Sequence, residues 1–341
     1  MQARRRYAFS LRDLAERMHG LVTAAALSRY EQGQMRPSPT VMVAICEALQ
    51  LTEDFFERPM TARLGDVDFR KRSSLGVKEE GSVREVTSDF FERYTEIEEL
   101  LGLTDVFVNP LIDFTVNEAE DIEVAAQKVR LAWGMGSAPI PSVVGLLESK
   151  HLLVHVLTAP SGFDGLAGVA GLRPVVALNG GFTVDRRRFS GLHELGHIVL
   201  RFAKGRFDEK AREKLCHRFA GAMLFPADAF KEALGQRRQH ILLPELMRLK
   251  AGYGISCAAI LSRASTLGVL AESTLTRIWP RWSASGYRKN DPGDCPFDET
   301  PRRFELLLYR ALGENAISLD KAAMLAGKSA EEFQVGLESY P

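Results

Sequence analysis

No stretch of this 341-residue chain approaches the roughly 20 apolar residues that cross a bilayer, so a helical membrane span and a membrane partner are excluded. No apolar run follows the Arg4-Arg5-Arg6 cluster either, which leaves no secretory signal and makes the cytoplasm the expected compartment. Cysteine is scarce. Cys46, Cys216, Cys257 and Cys295 are scattered and form no Cys-x-x-Cys pair. Three of them sit in apolar or helical contexts and read as core thiols in a reducing compartment. Net charge is absent as well, with 44 Lys and Arg against 44 Asp and Glu, so only its distribution is informative. Residues 1–40 hold seven arginines against Asp13, Glu16 and Glu31, a net +4. Residues 77–123 hold fourteen acids against Lys78, Arg84 and Arg93, a net −11. A basic module followed by an acidic one is how a nucleic-acid contact site looks in a neutral chain, although charge alone fits two solvated faces.

The length allows two or three domains, each able to bury a core. Residues 10–57 read as short helices in close succession. Leu11, Leu14, Ala15 and Met18 share one face behind Ser10 as N-cap, and Gly20 ends the helix. A second helix runs from Thr23 to Glu31 and stops at Gly33; after Arg36-Pro37-Ser38-Pro39 a third spans Val41 to Leu49, and Asp54-Phe55-Phe56 closes the unit. Two helices joined by a tight glycine-containing turn fit a helix-turn-helix. The order Leu-x-x-Leu-Ala-Glu-Arg-Met, Leu-Ser-Arg-Tyr-Glu-x-Gly and Arg-Pro-Ser-Pro resembles the DNA-binding domain of XRE (lambda-repressor/Cro-like) regulators. That resemblance implies that Thr23, Ala24, Ala25, Ser28 and Arg29 face a double-stranded operator, with Glu31 and Gly33 fixing the turn. Small side chains at 24–26 let the helix backbone approach the groove, and Arg29 can reach a phosphate or a guanine edge. Only nine residues precede Ser10, where such domains usually have a full first helix, so either a truncated start or a weakened domain is expected.

Residues 58–76 read as a surface linker with Val67-Asp68-Phe69-Arg70 as a short anchor, followed by a strong helix over 82–101 whose acidic outer face is solvated. Helices follow over Asp121–Gly134 and Ser142–Lys150, then a buried strand over 152–157 and another over 174–179, with a glycine-rich loop or hairpin at 161–171 between them. His151 and His155 read as ordinary polar-edge residues. Asp185-Arg186-Arg187-Arg188 reads as a loop beside the next helix, able to meet an acidic partner or nucleic acid.

That next helix holds His193-Glu194-Leu195-Gly196-His197. At about 100° per residue, His197 returns to the face of His193 one turn on. Two imidazoles so placed bind one Zn²⁺, leaving Glu194 to act on water. A third ligand has to come from elsewhere, and the helix from Asp208 to Leu224 offers Glu213 and His217, four apart on a shared face; either one closes the site. Arg188-Phe189-x-x-x-His193-Glu194-Leu195-Gly196-His197 with Glu213-x-x-Cys216-His217-x-Phe219-Ala220-x-x-Met223-Leu224-x-Pro226 resembles the ImmA/IrrE (gluzincin-like) metallopeptidase family, and the likeness continues to Leu267. The resemblance implies Glu213 as third ligand. Where the family usually has Asn, this chain has His217, which stands as a neighbour of the metal or an alternative ligand. It implies further that Glu194 is the general base, passing the water's proton to the leaving amine, and that the substrate is a protein, commonly a repressor or antitoxin, cut to relieve repression during stress.

The expected architecture is α+β, mostly helical with a small sheet. It divides into a helix-turn-helix domain at 1–60, a linker and connecting helix at 61–100, a zincin-like metallopeptidase domain at 101–270, and a helical module at 271–341. In the last, Trp279 to Phe297 reads as loop-rich and 304–312 and 319–325 as helices. A homodimer is expected. The rival expectation is a transcriptional regulator whose peptidase-like domain senses or dimerises without cutting.

Overall fold

The computed structural model describes residues 2–5, 7, 9–49, 51, 56, 75–170 and 173–338. The expected Val67–Arg70 anchor, the linker up to 74 and Asp54-Phe55 lie outside the described residues. Two compact units emerge. The first comprises Met1–Thr104, Ala159–Phe163 and Arg302–Pro341; the second comprises Asp105–Thr158 and Asp164–Pro301.

The first unit begins with α1 (Gln2–Arg5), α2 (Leu11–Arg17), α3 (Ala24–Glu31) and α4 (Pro39–Leu49). The expected caps are in place. Ser10 Oγ accepts from Asp13 N at 3.1 Å while the Asp13 carboxylate accepts from Ser10 N at 2.6 Å, closing a capping box. Those hydrogen bonds hold the Asp13 carboxyl below the usual carboxylate range. Thr23 Oγ1 accepts from Ala26 N at 3.2 Å and starts α3. Leu14, Met18, Leu27, Ile45 and Leu49 form a small core beneath these helices. Arg4 ties α1 to the end of α3 through a two-pronged pair with Glu31, both contacts at 2.9 Å.

The long helix α5 (Val77–Leu100) starts five residues earlier than its periodicity predicts. Its acidic face is not simply solvated. The carboxy-terminal helices of the chain, named below, cover part of it: Arg303 pairs with Glu98, which is 2% exposed, and Lys321 with Glu96. Phe304 packs on Phe90 and Tyr94 with ring centroids 5.0 and 5.1 Å apart.

The second unit opens with α6 (Asp121–Ala132) and α7 (Val143–Ser149). A three-stranded sheet follows, β1 (Leu153–Leu157), β2 (Gly165–Ala170) and β3 (Arg173–Asn179), in the order β1-β3-β2. β1 runs parallel to β3 with Leu153 opposite Val175, and β2 antiparallel to it with Gly165 opposite Leu178. The glycine-rich run therefore contains an edge strand, hidden from sequence reading because its glycines and alanines carry no β-branched signature. Two long helices come next, α8 (Val184–Val199) and α9 (Glu209–Leu224). α8 packs on the sheet and α9 packs on α8. Gly196 makes the helix contact close: a Cβ there meets Phe219 Cδ1 at 3.3 Å and Cys216 Cβ at 3.4 Å.

Four helices complete the second unit: α10 (Ala227–Leu234), α11 (Leu243–Tyr253), α12 (Cys257–Thr266) and α13 (Glu272–Ala284). The last is helical despite Pro280, so Trp279 and Trp282 lie on a helix rather than in a loop. α14 (Arg303–Gly313), α15 (Leu319–Ala326) and α16 (Ala330–Glu338) belong to the first unit. Among the described residues no helix is long and apolar enough to cross a membrane.

Candidate metal centre

α8 carries the two histidines on the face turned towards α9. His193 and Glu194 are buried, at 9% and 8% exposure. The Nε2 atoms of His193 and His197 lie 3.1 Å apart, as the four-residue spacing predicts. Glu213 comes in from α9, with Oε1 2.9 Å from His197 Nε2 and Oε2 3.5 Å from His193 Nε2. Ligands about 2.0–2.2 Å from a tetrahedral zinc stand about 3.3–3.6 Å from one another. The observed separations of 2.9, 3.1 and 3.5 Å lie within or a few tenths of an ångström below that range, so this donor set fits the ion.

His217 stands one turn beyond Glu213, and its Nδ1 lies 2.8 Å from the Glu213 carbonyl oxygen. A ring nitrogen of His217, one of His193 and a Glu213 carboxylate oxygen fall within 4.8 Å of one another. Glu213 thus faces two combinations of histidines, and its contact with His197, at 2.9 Å, is shorter than that with His193, at 3.5 Å. On the far side of His197, Nδ1 lies 3.5 Å from Cys216 Sγ. A partner on the outer nitrogen sets which ring nitrogen is left for a metal. Glu194 lies beneath the edge strand. A Cβ at Gly165 meets Ala177 O at 3.1 Å and Glu194 Oε1 at 3.3 Å, so only glycine lets β2 approach the carboxylate this closely.

The arginine run before the motif is no loop. Asp185 to Arg188 form the first turns of α8, and the partners of Asp185, Arg186 and Arg188 are distant in sequence. Arg188 is fully buried; it pairs with Glu299 at 2.5 Å and donates to Ile140 O at 2.7 Å and Gly254 O at 3.1 Å. Burial pulls the Arg188 guanidinium below its ordinary value, and the Glu299 charge opposes that shift. Gly254, at φ +65°, leaves room for it, since a Cβ there lies 2.3 Å from Arg188 Nε. Glu299 also accepts from Val143 N at 2.9 Å and Val144 N at 2.7 Å, capping α7.

A second buried cluster holds the same helix. Lys250 Nζ pairs with Asp185 at 3.0 Å and Asp291 at 2.9 Å, and Asp291 accepts from Cys257 N and Ala258 N at the start of α12. Burial disfavours the Lys250 ammonium, but its hydrogen bonds to Asp291 and Asp185 outweigh this and raise its pKa. Beside it, burial pushes the Cys257 thiol up to about 12. None of these partners was visible in the sequence, where Glu299 stands 111 residues from Arg188 with no spacing to link them. Arg186, by contrast, is exposed, pairs with Asp164 at 2.6 Å and lies over the Phe182 ring.

In the head, Thr23, Ala25 and Arg29 are exposed on α3, Ala24 and Ser28 are half-buried, and Leu27 is turned into the core. The five residues expected to face DNA thus include the outward part of that helix. Ser28 Oγ accepts from Gln32 Nε2 at 3.2 Å.

Residues 150–265 match a peptidase M78 family model described as the IrrE N-terminal-like domain, and residues 1–56 match a model described as helix-turn-helix. No curated protein matches the chain. Among solved structures, a Mycobacterium tuberculosis transcriptional regulator matches at 15% identity with a TM-score of 0.33. That match covers 51% of this chain and 51% of that one, so the chain spans about half the length of its structural neighbour. Both resemblances read from the motifs are borne out: the chain joins a helix-turn-helix domain of the XRE type to an IrrE-like peptidase M78 domain.

Proposed function

We propose that the second unit is a zinc-dependent endopeptidase and that the helix-turn-helix head brings it to an operator. The observation that carries this reading is the convergence of His193 Nε2, His197 Nε2 and a Glu213 carboxylate within 2.9–3.5 Å, with the Glu194 carboxylate on the next residue of the same helix. His193, His197 and Glu213 would hold the ion; once bound, zinc supplies Lewis acidity that polarises a carbonyl and acidifies water. The chain supplies the rest. Glu194, held under Gly165 in a mostly buried position, takes a proton from the attacking water and returns it to the departing amine nitrogen. Cys216 holds the His197 ring from behind, so that Nε2 rather than Nδ1 is presented.

The substrate in this reading is a protein of the repressor or antitoxin kind. Cutting it relieves repression at the operator to which Thr23, Ala25 and Arg29 on α3 bind. The test is a promoter reporter read in cells carrying the wild-type chain, Glu194→Gln or Arg29→Ala, together with the substrate's fragments on a gel. Loss of fragments and of derepression in Glu194→Gln supports the peptidase. A reporter unchanged by Glu194→Gln but abolished by Arg29→Ala would leave a regulator whose peptidase fold does not cut.

A further inference from the structure

His217 has no part in the chemistry just proposed, yet its ring lies against the site. Its centroid is 4.2 Å from that of His193, and the side chain is exposed at the mouth. Its tautomer follows from its neighbour. A carbonyl oxygen only accepts, so the 2.8 Å contact with Glu213 O puts the proton on Nδ1. A neutral ring then carries its lone pair on Nε2. Such a nitrogen can ligate a metal but cannot donate to a developing oxyanion without a second proton.

The geometry points to His217 as a fourth, displaceable protein ligand, and this rests on the metallopeptidase reading above. With no peptide present, Nε2 would fill the position that His193, His197 and Glu213 leave open, and an incoming peptide carbonyl would displace it. The exchange is balanced as one donor leaves when another arrives, with no net transfer of protons or electrons. The 4.8 Å span that includes His217 is wider than the roughly 3.3 Å between ligands of a tetrahedral site, so the ring has to move inward to bind. An exposed side chain at the end of a helical turn can do so by rotation about its own torsions. A site closed by four protein ligands is a resting site, whereas catalysis needs a vacant position. His217 would therefore keep the centre latent until substrate enters.

The test uses the full chain loaded with Co²⁺ in place of zinc, as wild type, His217→Asn, His217→Gln and the neighbouring surface control Lys214→Ala. Circular dichroism establishes that each variant is folded. Expected for wild type and Lys214→Ala are the intense visible bands of a four-coordinate site, unmoved by added azide. In the His217 variants the bands weaken and shift with azide, and zinc affinity falls by roughly tenfold or more. Folded His217 variants whose cobalt spectra, azide response and zinc affinity superimpose on wild type would overturn the proposal while leaving the metal centre standing. A wild-type chain that takes up neither zinc nor cobalt overturns the metal reading and this proposal with it.

Discussion

The α3 surface of the head and the α8–α9 centre of the second unit are built in opposite ways. The head holds α3 by local means. Thr23 caps it three residues away, Leu27 anchors it to a small core, and Arg4 fastens its end through Glu31. The cluster of His193, His197 and Glu213 depends on groups far along the chain. Arg188 of α8 reaches Glu299, Ile140 and Gly254, and Asp185 of α8 is held by Lys250, itself paired with Asp291; all of these partners lie on elements other than α8. A surface that reads DNA needs only a helix presented at the right angle. Three ligands that must meet within about 3.3 Å need a scaffold whose own positions are over-determined.

That contrast is open to direct attack, and the largest effect is expected at Glu299. Glu299→Ala leaves Arg188 charged and unpaired in a buried position and uncaps α7. It should lower the stability of the second unit by about 3–5 kcal/mol. Chemical denaturation followed by tryptophan fluorescence reads this unit selectively, because Trp133, Trp279 and Trp282 all lie within it. A loss under about 1 kcal/mol, the range of an exposed pair, would mean the clamp is not holding the helix.

Alkaline pH should weaken the same unit next. The Lys250 pKa is raised in the fold, so its contribution is complete below the ordinary lysine value of 10.5 and is lost as pH climbs through the folded value. Cys257 acts in the same direction. Its thiol is pushed from 9.0 up to about 12, so above pH 9 the unfolded chain releases that proton first and the native state is disfavoured. Burial raises the Cys295 thiol of the same unit as well, to about 11, so unfolding free energy should fall from pH 9 upwards and Cys257→Ala should remove only one of the two thiol contributions that begin near 9. A flat profile for wild type over that window would contradict these shifts.

A smaller effect is expected at Cys216. Replacing it with Ala takes away the group behind His197 without touching a ligand, and zinc affinity measured by chelator competition should drop about 10-fold. Unaltered affinity would show that packing alone orients the ring. The smallest is Thr23→Ala, which removes one cap and should cost about 1 kcal/mol in the first unit while zinc affinity stays at the wild-type value. If Thr23→Ala disturbed zinc binding, the separation between the two regions would be wrong.

Much of this chain was legible from its residues because the signals were local. The Ser10 and Thr23 caps, the apolar stripe of α2 and the four-residue spacing of His193 and His197 act within one or two helical turns, and each appears as expected. Three readings stayed open or failed where the deciding partner was distant or the residues were small. The run 161–171 read as loop or hairpin because Gly165, Ala167, Gly168 and Ala170 carry no strand preference; antiparallel pairing of β2 with β3 decides for the hairpin. Glu96 and Glu98 looked solvated because Lys321 and Arg303 lie more than 200 residues on. Arg188 looked like part of a basic loop because nothing near it in sequence reveals Glu299.

Taken by itself, the sequence determined the periodic helices of the head, the histidine-bearing helix and the two domain kinds, since helical periodicity and short motifs depend on neighbours along the chain. Only the tertiary structure decided which donors meet. It brought Glu213 to 2.9 Å from His197, put Cys216 behind that ring and set His217 beside His193. Those contacts depend on how closely α8 and α9 pack, and that closeness rests on Gly196 and on buried charges recruited from distant parts of the chain.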